Sequence, residues 1–323
     1  MKPILFYIPP PAWWIMVVII AITGLVLFFL YKKRKVKQGD IIFTLIFITG
    51  ILLGLRKFGP FPVRTYGVAV LTGLIAGTFI LHKLLKREGI NPEFIPDFVF
   101  WIIVGVILGA RLFYAIFYEP EYFLENPLRI FYVWEGGLVF YGGAAGGIIA
   151  GYAFLKKKKL PIIKIADAAG IAVLAGLGFG RWGCFGYGCC FGKITNSPIG
   201  IRFPAHGAPG ITSPAFEYHL KLGLVSPTDK FSLPVYPTQI ISSINAFILA
   251  FILYLLFRKK KFDGQIASLS LIFYGITRFL IEFLRVNPQF LGLTVSQWLS
   301  IFFIIYGIIL YRKYYIKWNK KIS

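Results

Sequence analysis

The sequence predicts an all-α polytopic membrane protein, and three observations carry that prediction. Long apolar runs recur along the chain, most of them close to the ~20 residues that a helix needs to cross a bilayer's hydrocarbon. Only 15% of the 323 residues are charged and 57% are hydrophobic, with a mean hydropathy of +0.73, where soluble domains carry about 25% charged residues. The basic residues concentrate in alternate connections between the runs. A net charge of +22 would suit nucleic acid in a soluble protein. Its alternation here assigns it to membrane topology, and no nucleic-acid partner is expected.

Taken in order, residues 1–11 are short and proline-rich. Ala12 to Tyr31 is a first span, opened by Trp13 and Trp14 as interfacial anchors. It reads as a retained helix and not as a cleaved signal. Only Lys2 precedes it, no small-residue cleavage site follows, and Lys32-Lys33-Arg34-Lys35 acts as a stop. Ile41 to Leu55 is a second, shorter span. Further spans run from Tyr66 to Leu85, Asp97 to Tyr118, Gly136 to Leu155, Ile162 to Phe179, Pro237 to Phe257, Gln265 to Leu284 and Leu293 to Tyr311.

Loop charges test this count of nine. Connections 32–40, 82–96, 156–164, 258–264 and the tail after Tyr311 hold 22 of the 35 Lys and Arg, and the opposite set holds 11. Short cytoplasmic loops are enriched in Lys and Arg. The expected topology therefore has the N-terminus outside and the C-terminus in the cytoplasm. The largest extramembrane piece, Lys193 to Leu233, then faces outward as a small irregular lobe. No internal repeat suggests a transporter built from two halves.

One stretch stands out, from Gly178 through Gly180-Arg181-Trp182-Gly183-Cys184 to Cys189-Cys190-Phe191-Gly192. Two readings stay open from its residues. Glycine and an arginine at the end of a membrane helix form an anion site, or small residues pack helices while Arg181 snorkels to the interface. All three cysteines lie in it. Cys189 and Cys190 are adjacent, so Cys184 is the candidate to pair with one of them if the site faces an oxidising compartment. No His lies nearby, and neither a metal nor a cofactor is expected.

Charges inside membrane spans are expensive and are site candidates by default. Five need an account: Arg111, Asp167, Arg181, Arg278 and Glu282. Arg278 and Glu282 are four apart and share a helix face with Tyr274, so they can pair. Asp167 lies nearly four helical turns before Arg181, at the other end of its helix, near the cytoplasmic surface and suited to capping. Arg181 and Arg278, near the outer ends of different helices, suit a phosphodiester, because each offers a planar fork to two oxygens.

These pieces, in this order, resemble the bacterial prolipoprotein diacylglyceryl transferases. Phe61-Pro62-Val63-Arg64-Thr65-Tyr66-Gly67 resembles the family's first core helix, and Gly109-Ala110-Arg111-Leu112-Phe113-Tyr114 its second. Gly136-Gly137-Leu138-Val139-Phe140-Tyr141-Gly142-Gly143 matches the family's Gly-Gly-x-x-x-His-Gly-Gly, with Tyr141 for His. Gly180-Arg181-Trp182-Gly183-Cys184-Phe185 matches Gly-Arg-x-Gly-Asn-Phe, with Cys184 for Asn. Cys189 stands for a Glu, and Gly192 keeps the closing Gly. Tyr236-Pro237-Thr238-Gln239 resembles His-Pro-Thr-Gln, and Ser242 falls where the family has Glu. Tyr274, Arg278-Phe279, Glu282-Phe283, Arg285, Gly292-Leu293-Thr294 and Gln297 follow the last two helices.

The likeness covers about residues 58–312. It implies a seven-helix core preceded by two extra helices: residues 1–57 as an extension, 58–192 as core helices one to four, 193–235 as the lobe, and 236–323 as core helices five to seven with a basic tail. It implies transfer of a diacylglyceryl group from phosphatidylglycerol to the lipobox cysteine thiol of a prolipoprotein signal peptide, at the outer leaflet of the plasma membrane. Arg181, Arg278 and Tyr141 would be catalytic. Tyr66, Arg111, Gly142, Gly143, Cys184, Gly192, Tyr236, Tyr274, Glu282 and Arg285 would bind substrate. The alternative is a related membrane protein that binds a phospholipid headgroup, with another acceptor or no catalysis. A generic transporter fits least, because the charges gather near the outer end.

Overall fold

The computed structural model describes residues 4–8, 23, 49, 53, 61–208 and 211–320. The expected spans at 12–31 and 41–55 therefore lie outside the described residues, apart from Thr23, Thr49 and Leu53, which are helical. The other seven spans are all helices: α1 (Thr65–Arg87), α2 (Ile95–Phe117), then past a short α3 (Pro120–Glu125), α4 (Phe140–Lys157) and α5 (Ile162–Tyr187). Beyond α6 (Pro214–Lys221) come α7 (Thr238–Phe257), α8 (Gln265–Glu282) and α9 (Val295–Asn319). Five stretches, Thr65–Arg87, Pro92–Phe117, Ile162–Tyr187, Thr238–Phe257 and Val295–Asn319, are long and apolar enough to cross a membrane. α4 and α8 are shorter, at 18 residues each. The chain is an all-α polytopic membrane protein.

Two boundaries near the arginines differ from expectation, each for a physical reason, and α9 also runs past the expected Tyr311 to Asn319. The span opening at Gly136 becomes helical only at Phe140, because Gly136 and Gly137 take positive φ (92° and 63°) and turn the chain before the helix. The span expected to stop at Phe179 continues to Tyr187 and carries the glycine-rich stretch as helix. Tertiary packing outweighs glycine's poor helix propensity: a Cβ on Gly178 would press into the Phe247 ring of α7. Gly73 of α1 lies as tightly against the Gly176 carbonyl of α5, and Gly105 and Gly109 of α2 against Gly146 and Gly142 of α4. Small residues let these helix backbones approach closely where apolar burial offers no drive between helices.

The described residues form two compact units. One draws on Met1–Val68, Gly186–Cys189 and Arg202–Leu233, the other on Ala69–Phe185, Cys190–Ile201 and Pro234–Ser323. In the first, β1 (Ile4–Ile8) pairs antiparallel with β2 (Phe61–Arg64), and the expected irregular lobe proves more ordered. It holds β3 (His206–Ala208), β4 (Ile211–Thr212) and α6. Ser213 accepts from the Phe216 amide at 3.4 Å and donates to the Pro204 carbonyl at 2.6 Å, capping α6. Phe203, Ala215, Phe216 and His219 are buried there.

The second unit's apolar core joins Leu84 and Leu85 of α1, Phe98 of α2, Phe154 of α4, Ile165 and Ile171 of α5, Leu253 of α7 and Ile266 of α8. This cluster sits at the end of the helices where the basic connections lie. The opposite end carries Arg181, Arg278 and Glu282, and a hairpin of β5 (Gln289–Phe290) and β6 (Leu293–Thr294) leads there into α9.

Candidate functional site

α8 ends in a buried ionic cluster centred on Glu282, whose side chain is 0% exposed. Arg278, one turn earlier, brings Nη1 to 2.5 Å from Glu282 Oε2, as the four-residue spacing requires. Arg285 Nη1 lies 3.8 Å from the same oxygen. Asn287 Nδ2 donates to Oε1 at 2.6 Å, and Thr294 Oγ1 donates to it at 3.0 Å. Arg278 Nη2 also donates to Ser296 Oγ at 3.0 Å. Thr294 is held in turn by a capping box with Gln297 at the start of α9. Two guanidiniums thus face one carboxylate, and the cluster keeps a net positive charge.

Arg181 adds a third cation from another helix. It lies in the last turns of α5, in the neighbourhood of Tyr274, Cys184 and Cys190. Tyr274 stands one turn before Arg278 on α8, so the structure brings Arg181 to the helix that carries Arg278. Arg181 Nε is buried with no hydrogen-bond partner among the described residues, and Gly180 beside it faces open space. A buried cation with donors to spare is a site for an oxyanion.

Gly192 fixes how the chain leaves this region. Its N–H donates to the Tyr236 carbonyl at 3.0 Å, and the Lys193 N–H to the Leu284 carbonyl at 2.7 Å. A Cβ on Gly192 would lie 2.7 Å from both Leu284 O and Tyr236 Cβ. Gly192 therefore lets three segments meet, one of them carrying Arg285. Tyr236 is held by its backbone, which bonds to Gly192 and Lys193.

Other expected site residues take different places. Arg111 is 3% exposed, and its guanidinium is occupied by main-chain carbonyls: Gly136 at 2.6 Å, Arg129 at 2.8 Å and Ile130 at 3.3 Å. It also sits over the Phe123 ring. It clasps the 119–137 connection to α2. The missing side chains of Gly142 and Gly143 are filled by α2, by Phe113 and the Gly109 carbonyl for the first and by Val106 for the second. Tyr141 is 39% exposed on the first turn of α4, its ring against Phe140. Among the described residues no hydrogen bond or ion pair joins it to Arg181, Arg278 or Glu282. Tyr66 is half-exposed on the first turn of α1 and belongs to the other compact unit.

The chain has three histidines, none within a motif that carries the resemblance. His82 is exposed on α1, His206 lies in β3, and burial holds the His219 imidazole of α6 below its usual range. Cys184 and Cys190 are thiols, with sulfurs within 4.8 Å of one another. Cys190 takes a left-handed backbone (φ 58°), and its carbonyl accepts from Thr238 Oγ1 at 2.7 Å.

Asp167, the fifth intramembrane charge, does not cap its own helix. It caps α8, accepting from the Gly264 amide at 2.9 Å and the Ala267 amide at 2.8 Å.

Sequence reasoning passed over Asn287 and Ser296 as site residues. Both lie beyond Glu282, where α8 ends, so helical period does not connect them to it. The Thr294–Gln297 spacing is a capping-box pattern and could have marked that corner.

Comparison with known proteins bears on this geometry. The family model described as prolipoprotein diacylglyceryl transferase matches residues 51–312. A phosphatidylglycerol–prolipoprotein diacylglyceryl transferase of Clostridium tetani is 36% identical over 263 residues, 81% of this chain and 94% of that protein. Proteins of the same name from Idiomarina loihiensis and Geobacter sulfurreducens are 33% and 34% identical, over 78% and 73% of this chain and 89% and 83% of their own lengths. This likeness along most of the chain shows that the protein belongs to the prolipoprotein diacylglyceryl transferase family.

Proposed function

We propose that this chain transfers the diacylglyceryl group of phosphatidylglycerol to the lipobox cysteine thiol of a prolipoprotein at the outer leaflet of the plasma membrane. One observation carries the reading: an Arg278–Glu282–Arg285 cluster holds more cation than anion, and Arg181 lies near Tyr274, one turn before Arg278. In the reaction the acceptor thiol loses its proton and its sulfur attacks the glyceryl carbon that bears the phosphate ester. A C–S bond forms, the C–O bond breaks, and glycerol phosphate leaves. Guanidiniums preorganised around the departing phosphate stabilise the charge that builds there. Glu282 orients Arg278 and Arg285 and keeps their forks from straying. The outward placement of this end follows from the basic connections at the other end, which the charge bias assigns to the cytoplasm.

The test is Arg181→Lys, which keeps the charge and removes the fork. Transfer from labelled phosphatidylglycerol to a lipobox precursor in membranes should fall about 10²-fold or more, with the protein still folded. Undiminished transfer would remove Arg181 from the reaction. A second reading, headgroup binding without catalysis, is favoured by Tyr141 and Tyr236 at the family's His positions and Ser242 at its Glu position. The Ser242 hydroxyl is spent on the Thr238 carbonyl at 2.6 Å. Phosphatidylglycerol binding without glycerol phosphate release would establish that reading instead.

A further inference from the structure

α5 and α8 meet through hydrogen bonds at the end with the basic connections, and at the other end Arg181 of α5 lies near Tyr274 of α8. At the end with the basic connections, Asp167 of α5 is fully buried. Its Oδ1 accepts from the Ala267 amide and its Oδ2 from the Gly264 amide, so both oxygens grip the first turn of α8. Lys260 Nζ lies 3.4 Å from Oδ2 and 2.7 Å from Glu88, and so ties this grip to the chain just beyond α1. Gly264 takes φ 91°, and a Cβ there would enter the Tyr314 ring of α9. The turn into α8 is therefore held from two sides. At the other end Arg181 of α5 lies near Tyr274, one turn before Arg278. From Asp167 to Arg181 is 14 residues, and from Gly264 to Arg278 is also 14. At about 1.5 Å per residue, both intervals are about 21 Å.

We propose that Asp167 is a positioning residue for the arginine pair: it fixes the axial register of α8 on α5, and so holds Tyr274 and Arg278 opposite Arg181. The inference rests on the reading of Arg181 and Arg278 as the groups that meet the lipid phosphate. A carboxylate does this where an amide cannot, because two amides point at two separate oxygens and both must accept. A slip of α8 by one residue, about 1.5 Å, would break both bonds at once. The positive end of the α8 dipole favours a negative charge in that place. A register error of about 1 Å at the far end is enough to cost 10²-fold in rate.

The test uses a covalent substitute for the grip. Gly170 of α5 faces Ser270 of α8, and a Cβ on Gly170 would lie 3.1 Å from Ser270 Cβ. A Gly170→Cys/Ser270→Cys disulfide would fix the same register, with the helices easing apart by a few tenths of an ångström. Asp167→Ala should lower kcat for diacylglyceryl transfer about 10²-fold while leaving KM for phosphatidylglycerol near its native value. Oxidising the 170–270 pair in that variant should restore most of the loss, and reduction with dithiothreitol should abolish the rescue. If kcat per folded molecule is unchanged in Asp167→Ala, or the crosslink rescues nothing, the proposal is overturned.

The crosslink also decides the matter without turnover. With native cysteines retained and the linked peptides identified by mass spectrometry, the 170–270 bond should form markedly faster with Asp167 than with Ala. Equal rates would refute the register role. A protein with Asp167 intact that crosslinks fast but transfers nothing would refute the transferase reading and leave the register role standing. If Asp167→Ala does not fold, Asp167→Asn, with one acceptor oxygen left, should show the same effects at smaller size.

Discussion

The two ends of the α5–α8 pair carry buried ionic clusters of opposite balance. At one end a single cation, Lys260, meets three carboxylates, Glu88, Asp167 and Asp263, at 2.7, 3.4 and 3.6 Å. The Asp167 oxygens are further satisfied by two amides. At the other end Glu282 is, among the described residues, the only carboxylate paired with Arg278 and Arg285, and Arg181 stands nearby with a buried nitrogen to spare. A cluster whose charges are matched by donors and acceptors holds structure. A cluster with surplus cation attracts an anion. The same two helices thus carry a structural tie and a candidate reaction site, and the balance of charge tells them apart.

That contrast can be broken first at Glu282. Glu282→Ala would leave Arg278 and Arg285 buried without their carboxylate, a loss of about 3–5 kcal/mol. Thermal unfolding in detergent should show it as a large drop in Tm, together with loss of transfer. A stable variant would mean that the arginines are held by something other than Glu282.

The Lys260 end should respond less. Lys260→Met removes one cation but leaves Asp167 its two amide donors, so the loss is about 1–3 kcal/mol. Burial pushes the Lys260 ammonium down, but its hydrogen bond to Glu88 and the fields of Asp167, Glu88 and Asp263 outweigh burial and raise it overall. A folded-state pKa above the unfolded value means stability that is full below the ordinary lysine range, near pH 10.5, and lost as pH rises through the raised value. The stability gap between native protein and Lys260→Met should therefore close above about pH 10.5. A gap that persists at higher pH would show that the tie does not depend on the ammonium.

The smallest change is expected at Gly180, which faces open space beside Arg181. Gly180→Ala should leave stability unchanged or raise it by up to about 1 kcal/mol, because Ala is the better helix former. Gly178→Ala, pressed against Phe247 at 2.6 Å, should lose stability in the same assay. Equal losses at both positions would mean that the space beside Arg181 is filled.

Much of the scaffold was legible because membrane helices write themselves into composition. Each apolar run from 66 to 311 became a helix, and the Arg278–Glu282 pair followed from spacing alone. The glycine-rich stretch was harder to place. The span was expected to stop at Phe179, yet α5 continues through the stretch because Gly178 admits the Phe247 ring. Arg111 was equally ambiguous. An arginine inside a span reads as a site, but here the 119–137 connection folds back and satisfies it with carbonyls.

Local periodicity belongs to the sequence: which segments are helical, which charges lie inside them, and which residues one turn apart can pair. A helix fixes those relations by its own geometry. What the tertiary structure decided is which helix faces which. Asp167 grips amides about 100 residues away, Arg181 lies near Tyr274 of α8, and Gly192 lets Tyr236 and Leu284 meet over it. Those contacts depend on how closely small residues let whole helices approach, and no single helix carries that information in its own order of residues.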